Sequence, residues 1–228
     1  MKGNIAVLSV LTSPSISVYG ENRFLLSETN FFSSIIVLPL EIGNLAVLAD
    51  YFGYKNYNES QLGLAYGKSL SKNIHLALKF SYYNFYIPQY IKAATINSEI
   101  GLLFNINEKV SFGINLFNPV GGYFNKIKND KIASIFKAGI GYEISGQVLF
   151  NAGIIKEEAQ HFALDLGLQY NLNKQFFIRA GTRPNLLNSY AGAGLAWNNY
   201  RLDLNFNYNP YLGFSPGMML IIHFKNPK

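Results

Sequence analysis

Cysteine is absent from the 228 residues, which excludes disulfide bonds, zinc ribbons and thiol catalysis. Charge is scarce: Asp, Glu, Lys and Arg make up 14% of the chain, well below the roughly 25% of an average soluble domain. Long apolar runs are missing as well. The longest, Ile35 to Leu40 and Met218 to Ile222, are far shorter than the ~18 residues of a membrane helix. These absences disfavour an ordinary soluble enzyme and exclude a helical membrane protein.

Glycine and aromatic residues are abundant instead, with 20 Gly, 16 Tyr and 18 Phe. This combination with low charge is typical of antiparallel β-structure in a lipid bilayer, where one residue in two faces hydrocarbon. The net charge of +6 is not accompanied by an arginine-rich helix or a nucleic-acid-binding motif. We therefore expect no nucleic-acid partner, and expect the basic residues to meet anionic lipid and lipopolysaccharide headgroups.

Apolar and polar residues alternate with period two along nearly the whole chain. From His161 to Asn171, one face carries Phe162, Leu164, Leu166, Leu168 and Tyr170, and the other carries Ala163, Asp165, Gly167, Gln169 and Asn171. The ranges 61–67, 74–83 and 200–209 repeat the pattern. A helix would need apolar residues three and four positions apart, so the alternation predicts strands.

Turn residues divide the chain into about fourteen such strands, or twelve at the fewest. We place them near 14–21, 29–40, 44–55, 59–69, 73–87, 94–106, 109–118, 132–145, 146–156, 161–172, 174–182, 189–197, 200–209 and 217–225. Short Asn, Gly and Ser turns alternate with longer links, such as those near 55–58, 88–92 and 118–131. This arrangement predicts an all-β fold, a transmembrane antiparallel β-barrel formed by one domain of residues 1–228. Its termini are expected on the periplasmic side of a bacterial outer membrane.

Several charged residues fall on the polar, inward register of the predicted strands. Burial of these side chains requires ion pairs or contact with water. The candidate lumen charge network consists of Glu99, Asp165, Arg179, Lys137, Arg201 and Asp203. Two interpretations remain open: a salt-bridged filler that stiffens the barrel, or a polar conduit for a solute. Many inward glycines beside large residues such as Phe177 and Leu103 favour a filled lumen that conducts poorly.

The predicted loop from Asn118 to Lys131 combines aromatic and basic residues, which suits contact with another protein. Its candidate partner-contact residues are Tyr123, Phe124, Lys126 and Lys128. A solvated loop resting on lipopolysaccharide is an equally open alternative.

Enzymatic chemistry is not expected. Gly213 to Gly217 matches the G-x-S-x-G pattern of nucleophile elbows, but a strand and not a helix is predicted after it. The three histidines, His75, His161 and His223, form no metal-ligating spacing. The sequence therefore predicts no catalytic residue, no metal site and no cofactor.

Particular segments resemble a known family. The chain looks like the PorV/PorQ-like outer-membrane barrels of Bacteroidota, which are themselves similar to the fourteen-stranded FadL transporter fold. The resemblance covers the chain from about residue 15 to its end. It is carried by the segments 19–24 (YGENRF), 50–54 (DYFGY), 117–122 (FNPVGG), 179–181 (RAG) and 212–216 (LGFSP).

This resemblance implies a non-enzymatic accessory subunit of an outer-membrane protein machine, of the type IX secretion or barrel-assembly kind, with protein partners in an envelope complex. The alternatives are a FadL-like channel for a small or hydrophobic solute and a purely structural barrel. Family members carry an N-terminal hatch segment that enters the barrel. Here the first strand is expected almost at once, with Ile5 to Leu11 at the start of the mature fold. The hatch is therefore expected to be missing, through truncation, a misplaced start codon or loss.

Overall fold

The computed structural model describes residues 3–121 and 132–224. Over these residues the chain forms fourteen antiparallel strands that close into a single barrel. Each strand pairs with its neighbours in sequence, and β1 pairs with β14 to close the sheet. The strands are β1 (Ser15–Asn22), β2 (Asn30–Leu40), β3 (Gly43–Tyr54), β4 (Tyr57–Ser69), β5 (Ile74–Ile87), β6 (Ile91–Asn105), β7 (Val110–Phe117), β8 (Ile135–Ser145), β9 (Val148–Glu157), β10 (Ala163–Asn171), β11 (Phe176–Arg183), β12 (Asn188–Trp197), β13 (Tyr200–Asn209) and β14 (Gly213–His223).

Short 3₁₀ segments are found at Ile5–Val10, Arg23–Leu25, Ser27–Thr29 and Pro184–Leu186. Within the described residues, no helix has the length and hydropathy required to cross a bilayer. We call the end of the barrel where β1 begins and β14 ends the terminal end, and the opposite end the loop end.

The predicted barrel and its strands are confirmed, with differences at a few strand ends. β14 begins at Gly213 and not near residue 217. The longer link expected near 55–58 is a tight turn, because the Tyr54–Tyr57 pair extends the ladder between β3 and β4 to its end. The link near 88–92 is also short, since Ile87 pairs with Ile91.

The alternation separates an apolar outer face from a polar interior. On β10, Leu164, Leu166 and Leu168 are exposed on the outside, whereas the side chain of Asp165 points into the interior, the lumen. Aromatic residues near the strand ends are exposed on the outer face, as expected for girdles at the two membrane interfaces. They include Tyr51, Tyr82, Tyr86, Tyr142, Tyr170, Trp197 and Tyr208. Tyr54 is exposed as well, but it pairs with the inward-facing Tyr57 at the end of β3.

The residues before β1 enter the barrel. This N-terminal segment, residues 3–14, carries the 3₁₀ turn Ile5–Val10 and packs against the inner faces of β3 to β6. Ile5, Ala6 and Leu8 are 1%, 0% and 0% exposed. The expectation that a luminal segment is missing is therefore wrong. Ile5 and Leu8 are buried in the lumen, against small inward residues such as Ala46, Ala65 and Ala77, whereas Val10 is exposed.

Glycines on the barrel wall make room for the N-terminal segment. A Cβ atom at Gly101 would lie 2.4 Å from Oδ1 of Asn4, and one at Gly67 would lie 2.9 Å from the backbone nitrogen of Ser9. Contacts below 3.0 Å are not tolerated without movement, so these positions accept the segment only because they lack a side chain.

Asparagine side chains hold the segment by bonding to backbone groups. Asn4 Oδ1 accepts from the N–H of Ala6 at 2.9 Å, while Asn4 Nδ2 donates to the carbonyl of Leu102 at 2.8 Å. From the wall, Asn44 Nδ2 donates to the carbonyl of Leu8 at 2.7 Å. Asn115 Oδ1 accepts from the N–H of Ile5 at 3.1 Å. The segment thus obtains the backbone partners that a buried irregular chain requires.

We predict that Gly101→Val displaces the N-terminal segment. A thiol placed at the fully buried position 8 by Leu8→Cys should react slowly with a water-soluble maleimide. It should react at least tenfold faster when Gly101→Val is also present, because the added side chain overlaps Asn4 and Ala6.

Gly146→Val is the matched control, because nothing lies within 4 Å of its Cβ position. The chain has no other cysteine, so the labelling rate reports position 8 alone. Equal labelling in the two glycine variants would contradict the described packing.

Candidate functional site

The interior of the barrel is the candidate site. The structure places the six residues of the predicted lumen charge network on inward positions, but in separate clusters and not in one network. These clusters are built around Asp203, Asp165 and Glu99.

The most buried cluster joins β11 and β13. Asp203 is 0% exposed and accepts from both guanidinium groups: Arg179 Nη2 lies 3.1 Å away, and Arg201 Nε lies 2.8 Å away. Arg179 Nη2 also donates to Asn205 Oδ1 at 2.5 Å. The guanidinium carbon of Arg201 lies 4.5 Å from the ring centre of Phe177. One carboxylate therefore faces two cations, leaving this part of the wall with an excess of positive charge.

A second cluster lies nearer the loop end. Arg183 Nε lies 2.8 Å from Asp165 Oδ2, and the hydroxyl of Tyr190 donates to Asp165 Oδ1 at 3.0 Å. Sequence reasoning selected Asp165 but missed Arg183 and Tyr190. Arg183 could have been found, because it continues the inward register of Arg179 and Gly181 along β11.

The third cluster lies on β5 to β7. Lys79 forms an ion pair with Glu99, and Asn115 Nδ2 donates to Glu99 Oε1 at 2.9 Å. Lys137 stands beside Asn115 in the register of β7 and β8, and with Lys79 and Glu99 it lines a cavity of about 200 Å³. The four predicted partner-contact residues, Tyr123, Phe124, Lys126 and Lys128, lie outside the described residues.

An aromatic cluster occupies the loop end of β1 to β5, and sequence reasoning missed it. Its rings belong to inward-facing side chains and touch pairwise: Phe52 and Tyr57 have centroids 6.3 Å apart, and Tyr57 and Phe85 have centroids 5.3 Å apart, in edge-to-face geometry. Tyr19 and Phe31 lie 6.1 Å apart. We define the aromatic cluster as Tyr19, Phe31, Phe52, Tyr57 and Phe85.

Two charged residues flank the aromatic cluster. The guanidinium carbon of Arg23 lies 5.2 Å from the ring centre of Phe31 and 5.0 Å from that of Phe52. Glu59 accepts hydrogen bonds from the hydroxyls of Tyr57, at 2.5 Å, and of Tyr83. The aromatic side chains are thus held in place by cation–π contacts and hydrogen bonds.

The opposite wall carries little side-chain volume. Gly113, Gly139 and Gly153 lie side by side at inward positions of β7, β8 and β9. A cavity of about 450 Å³ lies between this wall and the start of the N-terminal segment at Gly3 and Asn4. The expectation of a lumen filled by large inward residues is therefore wrong for this wall.

Elsewhere large side chains do cover the glycines. The ring of Phe177 lies over Gly194, where an added Cβ would be 2.0 Å from the ring. The ring of Tyr190 covers Gly181 in the same way, at 2.2 Å. On the wall of β7 to β9, Gly113 receives the edge of the N-terminal segment, because a Cβ there would lie 2.8 Å from Nδ2 of Asn4. Gly139 and Gly153 face the cavity.

The serine of the G-x-S-x-G match and the histidine of β5 are both held by hydrogen bonds. Ser215, the serine of the G-x-S-x-G match, is 3% exposed and accepts a hydrogen bond from the backbone N–H of Phe24 at 2.9 Å. His75 is hydrogen-bonded to Ser69 at 2.8 Å and to Asn105 at 3.1 Å. Among the described residues, no group of three or more potential metal ligands lies together.

The chain matches no protein-family model and no curated protein sequence. Solved structures resemble it in fold. The CymD monoaromatic hydrocarbon channel is 11% identical with a TM-score of 0.69, over 96% of this chain and 91% of that one. The toluene transporter TodX of P. putida is 9% identical with a TM-score of 0.66, over 98% and 93%. A FadL homologue of Pseudomonas aeruginosa is 8% identical with a TM-score of 0.60, over 96% and 92%.

These similarities confirm the expected FadL-like barrel fold. They do not bear on the narrower resemblance to PorV/PorQ-like proteins of Bacteroidota, which stays a prediction.

We predict that Asp203→Asn destabilises the barrel more than Asp165→Asn does. Removing the fully buried carboxylate leaves two close guanidinium groups without their counter-charge, a loss of about 3 kcal/mol. The side chain of Asp165 is 25% exposed, so water compensates part of the change.

The measurement is the temperature at which boiling converts the folded gel band to the slower unfolded band. It should fall clearly for Asp203→Asn and only slightly for Asp165→Asn. Equal shifts would mean that Asp203 is hydrated.

Proposed function

We propose that the protein is a passive channel of the bacterial outer membrane for small apolar, aromatic-containing solutes. The observation that supports this proposal best is the aromatic cluster at the loop end, which presents ring faces and edges inside the barrel. An aromatic solute can form the same edge-to-face contacts there, each worth roughly 1 kcal/mol. The similar structures include channels whose names state monoaromatic hydrocarbons and toluene.

The proposed orientation places both termini in the periplasm and the aromatic cluster toward the cell exterior. A solute arriving from outside would then meet the aromatic rings first. The exposed outer belt, with aromatic residues near both ends, suits a lipid bilayer.

The accessory-subunit hypothesis came from the resemblance to PorV/PorQ-like proteins, and it was supported by the aromatic and basic loop after Asn118 and by the expected loss of the hatch. Its loop residues lie outside the described part of the chain, and the N-terminal segment is present in the lumen. The channel hypothesis is therefore the better supported of the two.

We predict that the double variant Phe31→Leu and Phe85→Leu lowers solute uptake. The test measures the initial rate of radiolabelled toluene uptake, at low concentration, into cells with an intact lipopolysaccharide layer. Loss of two ring contacts should reduce the rate about tenfold, since 1.4 kcal/mol corresponds to a factor of ten.

Phe80→Leu is the control, because Phe80 is 60% exposed on the outer face of β5. It should leave uptake unchanged at an equal amount of folded protein. Uptake that is insensitive to the double variant would contradict the proposal.

A further inference from the structure

We propose that a polar passage beside the N-terminal segment conducts small hydrated solutes, anions in preference to cations, without movement of that segment. The passage runs along β7 to β10. It is distinct from the aromatic cluster, which lies on β1 to β5, and adds a second activity to the proposed uptake of apolar solutes.

The passage begins at the terminal end. A cavity of about 650 Å³ opens there among the turns that carry Asn73 and Lys109. Ser111 and Gly141 line this cavity and also the cavity of about 450 Å³ beside the N-terminal segment. The two cavities therefore adjoin at this pair of residues, which face each other in the register of β7 and β8.

The second cavity continues to the loop end of the wall. Its lining passes along Gly113, Gly139 and Gly153 and reaches Asp165, Arg183 and Tyr190. Arg183 is the last residue of β11, and Asp165 lies close to the start of β10, so both stand near the loop end. The two cavities together extend along most of the height of the barrel.

The N-terminal segment leaves the side of β7 to β10 open because its contacts hold it against the other side of the lumen. It packs against the inner faces of β3 to β6. Its edge is fixed by Asn4, which donates to the carbonyls of Leu102 on β6 and Ile114 on β7, at 2.8 and 3.2 Å. The passage lies immediately beyond that edge.

The lining of the passage suits water and anions. Ser111 and Asn151 contribute a hydroxyl and an amide group, and the aligned glycines expose backbone. Beside the N-terminal segment its charged residues are Lys137, Arg183 and Asp165, and at the terminal end they are Lys72, Lys109, Glu108 and Glu143. Four cations and three anions therefore line the whole passage. A narrow passage lined by an excess of one charge concentrates ions of the opposite sign. Chloride should therefore cross more readily than potassium.

Single cysteines test the passage, because the natural chain has none. The variants Ser111→Cys and Asn151→Cys place a thiol on the passage. Ala77→Cys places one on an inward position that is 1% exposed and packed against the N-terminal segment. Each purified protein is inserted in a planar bilayer, and conductance is recorded before and after addition of a bulky, water-soluble methanethiosulfonate reagent.

We expect steady conductance from the natural protein, unaffected by the reagent. Modification should lower the conductance of Ser111→Cys and Asn151→Cys at least twofold and leave Ala77→Cys unchanged. Lys137→Gln should move the chloride-to-potassium permeability ratio, obtained from the reversal potential, from above one toward or below one.

Absence of conductance in the natural protein would contradict the proposed passage. An equal loss of conductance after modification of Ala77→Cys, Ser111→Cys and Asn151→Cys would contradict it as well. A ratio unchanged by Lys137→Gln would overturn its anion preference. Toluene uptake into cells is a separate measurement. The conductance results can therefore contradict the passage without contradicting the proposed uptake function, and the uptake results can contradict that function without contradicting the passage.

Discussion

Closure of the sheet between β1 and β14 is the constraint on which the other features depend. Within the described strands, it gives the backbone groups of each strand partners on both sides, which an apolar environment requires. Closure also fixes the space inside. Every inward side chain then competes for the same volume, and its position in the register decides what it can contact.

Glycine placement divides that volume. On β4, β6 and β7, glycines receive the N-terminal segment, and across β7 to β9 their alignment leaves a cavity. Where a glycine faces an aromatic residue, as Gly181 faces Tyr190, the ring covers it. Glycine thus has three effects on the lumen: it admits the N-terminal segment, it leaves a cavity, or it lies beneath an aromatic ring. The charged clusters stabilise the walls around them, since a buried carboxylate such as Asp203 is tolerated only with its cations.

Much of the fold follows from the sequence because period-two alternation is a local property. β10 can be recognised from its nine residues and β13 from its ten, and the inward position of Asp165 and Asp203 follows directly. Three features could not be derived in this way. The N-terminal segment is a short apolar run without alternation, and its bonds join residues as far apart as Ile5 and Asn115. The division of the charges into clusters depends on which strands are neighbours. The cavity depends on glycines being adjacent across three strands, which no single strand reveals.

The central claim is that a fixed N-terminal segment and an open passage coexist in one lumen. Leu8 of the segment and Ala77 of β5 belong to one buried cluster, away from the passage, so a disulfide in the double variant Leu8→Cys and Ala77→Cys would lock the segment to the wall. The decisive measurement is the conductance of this variant in planar bilayers, oxidised and then reduced with dithiothreitol. The account predicts the same conductance in both states. Conductance that is absent in the oxidised protein and appears on reduction would show that the passage opens only when the segment moves, and would contradict the account.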